Sequence, residues 1–231
     1  MNFLDGQILT FDKAYGITSF GLVAKVRWLI TQKMRGRKIK VGHAGTLDPL
    51  ATGVLLVCIG KATKMVNDLQ AEEKEYIADI ELGATTPSYD LEHPIDKRYP
   101  TEHITREMIE QALRDLTGER LQAPPIYSAK KVEGVRAYEF ARQGEEVELK
   151  KALINIYSLT LEEYDLPKIR IRVECSKGTY IRSLAGEIGE AVNSGAYLTS
   201  LRRTASGEFK VENAWQLEDF LKKLSECETK R

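Results

Sequence analysis

Six consecutive apolar residues, Val54 to Ile59, stand between Gly53 and Gly60 and constrain this chain more than any other stretch. A short continuous apolar run closed by glycines at both ends reads as a strand buried on both faces. Such a strand needs a layer of structure on each side, so the chain must be able to build a substantial core. Its 231 residues suffice for one sizeable core, or at most two closely packed halves. With 42% hydrophobic and 29% charged residues, a disordered tail, a collagen-like repeat and a disulfide miniature are excluded. The run is also the longest apolar one, far short of the roughly 20 residues that span a bilayer. No basic-then-apolar leader follows Met1.

The remaining pattern mixes strands and helices. Thr18 or Ser19 can cap a helix whose apolar face is Leu22, Val23, Val26, Leu29 and Ile30. Lys33 to Lys40 is too polar for a core element and reads as a surface loop. Glu75 to Leu82 alternates, with Tyr76, Ala78, Ile80 and Leu82 on one side, as a half-buried strand does. Thr105 to Leu116 reads as a helix with Met108, Ile109, Ala112, Leu113 and Leu116 inward and Gly118 as its stop. Ile169 to Cys175 is a second alternating strand, turning at Lys177-Gly178 into a helix that faces inward with Ile181, Leu184, Ile188 and Val192. A short amphipathic helix with Trp215, Leu217, Phe220, Leu221 and Leu224 ends the pattern. Without strict βαβ alternation, repeats or linkers, the expectation is a single α+β domain over residues 1–231, a mixed, mostly antiparallel central sheet flanked by helices.

Cys58, Cys175 and Cys227 form no CxxC pair and leave an odd number, which suggests a reducing compartment. Three scattered histidines make no metal motif, so no metal is expected. The formal net charge of zero conceals an asymmetry. From Leu22 to Lys64 there are nine Lys or Arg residues and one acid, Asp48, leaving 25 basic against 33 acidic residues elsewhere. Such a block is either a solvated basic loop or the footprint of a polyanion.

The chemistry concentrates in VGHAGTLDPLATGVLLVCIGKATK, Val41 to Lys64. Gly42, Gly45, Gly53 and Pro49 make an irregular loop beside a rigid strand, where reactive groups are commonly placed. Asp48 is its only acid, and the surrounding cations favour its ionised form. A held carboxylate can be a nucleophile, a base or a hydrogen-bond acceptor that shapes the loop. On residue type alone, Asp48-Pro49 reads first as the start of a turn.

The string GHAGTLDPLATGVLLVCIGKATK resembles the catalytic motif of the pseudouridine synthases that modify the T-loop of transfer RNA. Five further segments agree in order: LDGQILTFDKAYGITSF, KEYIADIELGATTPSYD, QAPPIYSAKKVEGVRAYEFARQG, CSKGTYIRSLAGEIG and YLTSLRRTASGEF. The resemblance implies the pseudouridine synthase fold and isomerisation of uridine at position 55, with Asp48 as the catalytic aspartate. It implies that Tyr76 stacks on the flipped uracil, that Arg182 pairs with Asp48 and that Tyr180 lines the pocket. His43 would take the place vacated by the departing base, Leu201 would close over uracil, and Lys13 would support the wall of the site. Taken singly, Leu201 is equally readable as a core residue, and Tyr76 can be read as a core tyrosine, His43 as a loop histidine and Arg182 as a surface charge.

The partner implied is the T stem-loop of transfer RNA, gripped through phosphates by the basic segment and by Lys130, Lys131, Arg136, Arg142, Arg202 and Arg203. The expected form is a cytoplasmic monomer needing no cofactor, membrane or protein partner. Many relatives continue into a small C-terminal RNA-binding domain of the PUA type, which is absent here, in a short natural form or a truncated one. Two other classes stay open on the residues: an N-glycosidase, which would want a second carboxylate, and a non-catalytic RNA-binding protein.

Overall fold

The computed structural model describes residues 3, 5–128, 131–132, 135–136 and 149–226, the side chains of the two short pairs excepted. In chain order its helices and strands begin with β1 (Gln7–Lys13), α1 (Ser19–Lys33), β2 (Val41–Ala44), β3 (Thr52–Ile59), α2 (Val66–Ala71) and β4 (Lys74–Leu82). Then come β5 (Ala84–Thr85), β6 (Lys97–Arg98), α3 (Arg106–Leu116), β7 (Gly118–Gln122), β8 (Lys131–Val132) and β9 (Val135–Arg136). The last are β10 (Ala152–Asp165), β11 (Lys168–Cys175), α4 (Ile181–Ala191), β12 (Ala196–Ser206), β13 (Phe209–Lys210) and α5 (Leu217–Glu226). They form two compact units, Met1–Glu75 with Arg202–Arg231, and Tyr76–Leu201.

In the first unit β3 is the central strand. β1 runs antiparallel along one edge, from Gln7 opposite Ile59 to Lys13 opposite Gly53. β2 pairs antiparallel with its C-terminal half, and Arg202 and Arg203 of β12 pair in parallel with Thr52 and Gly53. Leu55, Val57 and Ile59 enter a core with Phe11, the apolar face of α1, and Phe220 and Leu224 of α5. Val54, Leu56 and Cys58 enter a second core with Ala44, Ala62 and Leu69. All six of these strand residues are fully buried, and at about 1.5–3 kcal/mol for each large apolar side chain they anchor the unit.

Thr18 caps α1 by accepting from the Gly21 N–H at 2.9 Å, and the helix buries the five apolar residues expected of it together with Ser19. It ends where Arg35 and Gly36 take positive φ. Trp215 departs from the sequence expectation. It precedes α5 and hydrogen-bonds beside β1, its N–H to Thr10 O at 2.8 Å and its carbonyl to the Asp12 N–H at 3.0 Å.

In the second unit the neighbouring strands are, in order, β12, β4, β11, β10 and β7. β10 is antiparallel to both β11 and β7. β4 and β11 bury alternate residues, as their sequence alternation requires. The outward Arg170 pairs with Asp79 and Glu163, each at 2.6 Å, and Arg172 with Glu162 at 2.6 Å. Thr105 caps α3, accepting from the Met108 N–H at 3.3 Å, and α3 packs on β10 and α4. Gly118, at φ +103°, opens β7 just after that helix stops. The architecture is α+β, with mostly antiparallel sheet flanked by helices. Among the described residues no helix is long and apolar enough to cross a membrane.

Candidate functional site

Asp48 lies half-buried in the connection 45–51 between β2 and β3. Side chains from three other segments hold the backbone of this loop. The Ser19 hydroxyl donates to Leu47 O at 2.8 Å and accepts from the Leu47 N–H at 2.9 Å. Lys13 Nζ donates to Pro49 O at 3.2 Å, and also to Ile17 O at 2.7 Å and Ala14 O at 3.1 Å. Arg203 donates from Nη2 to Gly45 O at 2.9 Å and from Nε to Val54 O at 2.7 Å. The Gly16 N–H adds a bond to Pro49 O at 2.9 Å, and the Ala51 N–H closes a turn on Asp48 O at 3.1 Å. Both neighbours of Asp48 are therefore tied down.

Two glycines of the motif owe their places to Arg203. Gly53 has φ +100°, and a Cβ there would lie 2.1 Å from Arg203 O. Gly45 has φ +83°, and its Cβ would meet Arg203 Nη1 at 3.3 Å. Only glycine takes such φ values without strain.

Lys13 and Arg203 put two buried cations beside the loop. Burial pushes the Lys13 ammonium down to about 8; the Asp48 carboxylate opposes this and Arg203 adds to it. Burial, then Arg203, lowers the His43 imidazole. Its Nδ1 is buried with no hydrogen-bond partner among the described residues.

Arg203 corrects a sequence expectation. At 1% exposure it is no surface contact for phosphate. Successive residues of a strand face opposite ways, so Arg202 points outward while Arg203 points into the unit. Arg202 grips both carboxylate oxygens of Asp12, at 2.8 and 3.1 Å. Lys130 and Arg142, and the side chains of Lys131 and Arg136, lie outside the described residues.

In the second unit Tyr76 is buried on the apolar side of β4. Tyr180 precedes the first turn of α4 and is half-buried. Gln122 clamps its backbone, accepting from the Tyr180 N–H at 2.8 Å and donating to Tyr180 O at 3.2 Å. Arg182 is buried at 5% exposure, so it is no surface helix charge. Its Nη1 lies 3.3 Å from Ser88 O and 3.8 Å from an Asp90 oxygen. Leu201 is half-buried in β12. Thus Lys13, His43 and Asp48 gather in the first unit, while Tyr76, Tyr180, Arg182 and Leu201 belong to the second. Sequence reading missed Arg203, Gln122, Ser88 and Asp90 as supports. The arginine doublet on a strand was the one usable sign, since one of the two had to face inward.

Known proteins resemble the chain along most of its length. Residues 31–181 match the family model of the TruB family pseudouridylate synthase N-terminal domain, and residues 182–230 that of the tRNA pseudouridylate synthase B C-terminal domain. The tRNA pseudouridine synthase B of Bacteroides fragilis is 58% identical over 92% of this chain and 91% of its own length. That of Phocaeicola vulgatus is 56% identical over 99% and 97%. Among solved structures, a chain of a Cbf5–Nop10–Gar1 complex superposes with a TM-score of 0.71 at 31% identity, over 95% of this chain and 54% of that one. An H/ACA ribonucleoprotein bound to a substrate RNA containing 2′-deoxyuridine gives a TM-score of 0.66 at 30% identity. With relatives sharing more than half its residues along nearly its whole length, the chain belongs to the TruB family of pseudouridylate synthases.

Proposed function

We propose that the transfer RNA uridine this enzyme isomerises to pseudouridine is the T-loop uridine at position 55, and that Asp48 is the carboxylate that acts on it. The observation that carries this reading is the bracing of the loop. Leu47 and Pro49 are bonded to Ser19 and Lys13, and Gly45 to Arg203, so the one acid of the segment is held between fixed neighbours. A catalytic group positioned this way needs little reorganisation at the moment of reaction.

The reaction breaks the N1–C1′ bond, turns the base and joins C5 to C1′; C5 loses its hydrogen to water as a proton and N1 gains one. Every atom except exchanged protons stays in one nucleotide, so no cofactor is required. The nucleotide must leave its stack, at a cost of a few kcal/mol. In this reading Tyr76 stacks on the extracted uracil, a contribution of roughly 1–3 kcal/mol. Tyr180 and Leu201 keep water from the exposed C1′, Arg182 is the fixed cation of the reaction, His43 fills the vacated place, and Lys13 holds the loop. The enzyme works in the cytoplasm as a monomer without a protein partner.

Tritium release from transfer RNA labelled at C5 of uridine tests the reading, because the new bond expels that hydrogen. We expect release by the native protein and a fall of roughly 100- to 10,000-fold in Asp48→Asn, with RNA affinity retained. Free uracil in the products would make the protein a glycosidase instead. RNA binding with no release by either form would make it a binding protein.

A further inference from the structure

Three large aromatic side chains lie open to solvent in one short stretch: Tyr15 at 59%, Phe20 at 67% and Trp28 at 55% exposure. Phe20, Ala24 and Trp28 recur every four residues along α1, on the side away from the buried Leu22, Val26 and Ile30. At 1.5 Å per residue this stripe is about 12 Å long. Its near end adjoins the Asp48 loop by bonds already described. Gly16, next to Tyr15, bonds to Pro49, and Ser19, next to Phe20, bonds to Leu47. The side chains of Tyr15 and Phe20 thus leave the backbone from residues adjoining the two that grip Asp48's neighbours.

The surroundings favour a polyanion. From Leu22 to Lys64 there are nine Lys or Arg residues and one acid, Asp48. Lys25 lies over the Trp28 ring at 5.0 Å. Exposed aromatic rings set in a basic surface are the means by which proteins stack unpaired bases. We infer that Tyr15, Phe20 and Trp28 form a base-stacking surface for unpaired nucleotides of the RNA substrate next to the one being isomerised. The inference rests on the isomerase reading above and extends it to substrate recognition. Tyr15 and Phe20 take the bases nearest the target, and Trp28 with Lys25 takes the far end of the strand.

The test measures affinity for a T stem-loop RNA in the Asp48→Asn background, where no turnover intervenes, as a function of salt. Phe20→Ala and Tyr15→Ala should each weaken binding by roughly 5- to 150-fold, the range that base–aromatic stacking supplies. The dependence of log affinity on log salt should keep its slope, since no phosphate contact is lost. Lys25→Ala should lower the slope by about 1. Phe20→Trp and Tyr15→Phe should restore affinity; Phe20→Leu should not. Affinity within twofold of the parent in both alanine variants would overturn the proposal. So would equal rescue by leucine, or loss of self-association in the same variants, which would assign the surface to a second copy of the chain. Tritium release by the otherwise native protein, run alongside, tells these failures from failure of the isomerase reading.

Discussion

Around Asp48, two cations and one hydroxyl do the holding, and what they hold is backbone: Lys13 on Pro49, Arg203 on Gly45 and Val54, Ser19 on Leu47. Around Arg182 and Tyr180 the holding is done by neutral and acidic groups, the Ser88 carbonyl, the Asp90 carboxylate and the Gln122 amide. The first region presents a carboxylate in a setting of positive charge. The second presents a guanidinium in a setting of acceptors. The difference lies in strain. The Asp48 loop and the start of β3 are packed so closely on Arg203 that Gly45 and Gly53 can only be glycine, whereas the turn before α4 is held by hydrogen bonds that other side chains could partly replace.

Gly53→Ala tests that difference most severely. The added methyl would sit 2.1 Å from the Arg203 carbonyl at a φ of +100°. Backbone strain and overpacking each cost about 1–3 kcal/mol. Thermal unfolding should show a fall of roughly 5–15 °C for a chain of this size. A variant that melts like the parent would mean that β3 and β12 part readily at this point.

Arg203→Met comes next. It strips both carbonyls, Gly45 O and Val54 O, of their donor, and an unsatisfied buried carbonyl costs about 1–3 kcal/mol. Stability should fall by about 2–4 kcal/mol in urea titration, and isomerisation should fall with it. The salt dependence of RNA affinity should stay as it was, because Arg203 touches no solvent. A shallower slope would return Arg203 to the phosphate contacts where sequence alone had put it. In the second unit the matching change, Gln122→Leu, removes a donor and an acceptor from Tyr180. It should cost about 1–2 kcal/mol and slow isomerisation without the large stability loss of Gly53→Ala.

The two regions also differed in how far the sequence disclosed them. The Asp48 loop was legible because its signs are local: three glycines, a proline and a lone acid within a few residues, followed by an apolar run that had to be central. β3 and α1 followed from the same periodicity. Ser88, Asp90 and Gln122 carry no such sign, since they reach Arg182 and Tyr180 from 58 to 94 residues away along the chain. Trp215 looked like part of a helical face, yet its backbone bonds to β1; helical spacing does not reveal where a helix starts. Arg203 misled because surface arginines are the rule, and only the close pairing of β12 with Gly53 forces this one inside.

The smallest effect expected is a pH dependence, and its sign separates the two regions again. Lys13 titrates at about 8 in the folded protein against 10.5 for an unhindered lysine, so between these values the unfolded chain binds the extra proton. Stability must then rise with pH across the window, and the cost of the buried charge is fully present below about 8. From pH 8 to 9 the gain is about 1 kcal/mol. Urea titrations at the two values should show it in the native protein and not in Lys13→Met. Isomerisation should move the opposite way over the same interval, because the lost charge is that of an ammonium that interacts with Asp48 and holds Pro49. A rate that rose with stability would mean that neutral Lys13 serves the loop as well as the charged form, and that the hydrogen bond to Pro49, rather than the field of the ammonium, is what Asp48 depends on.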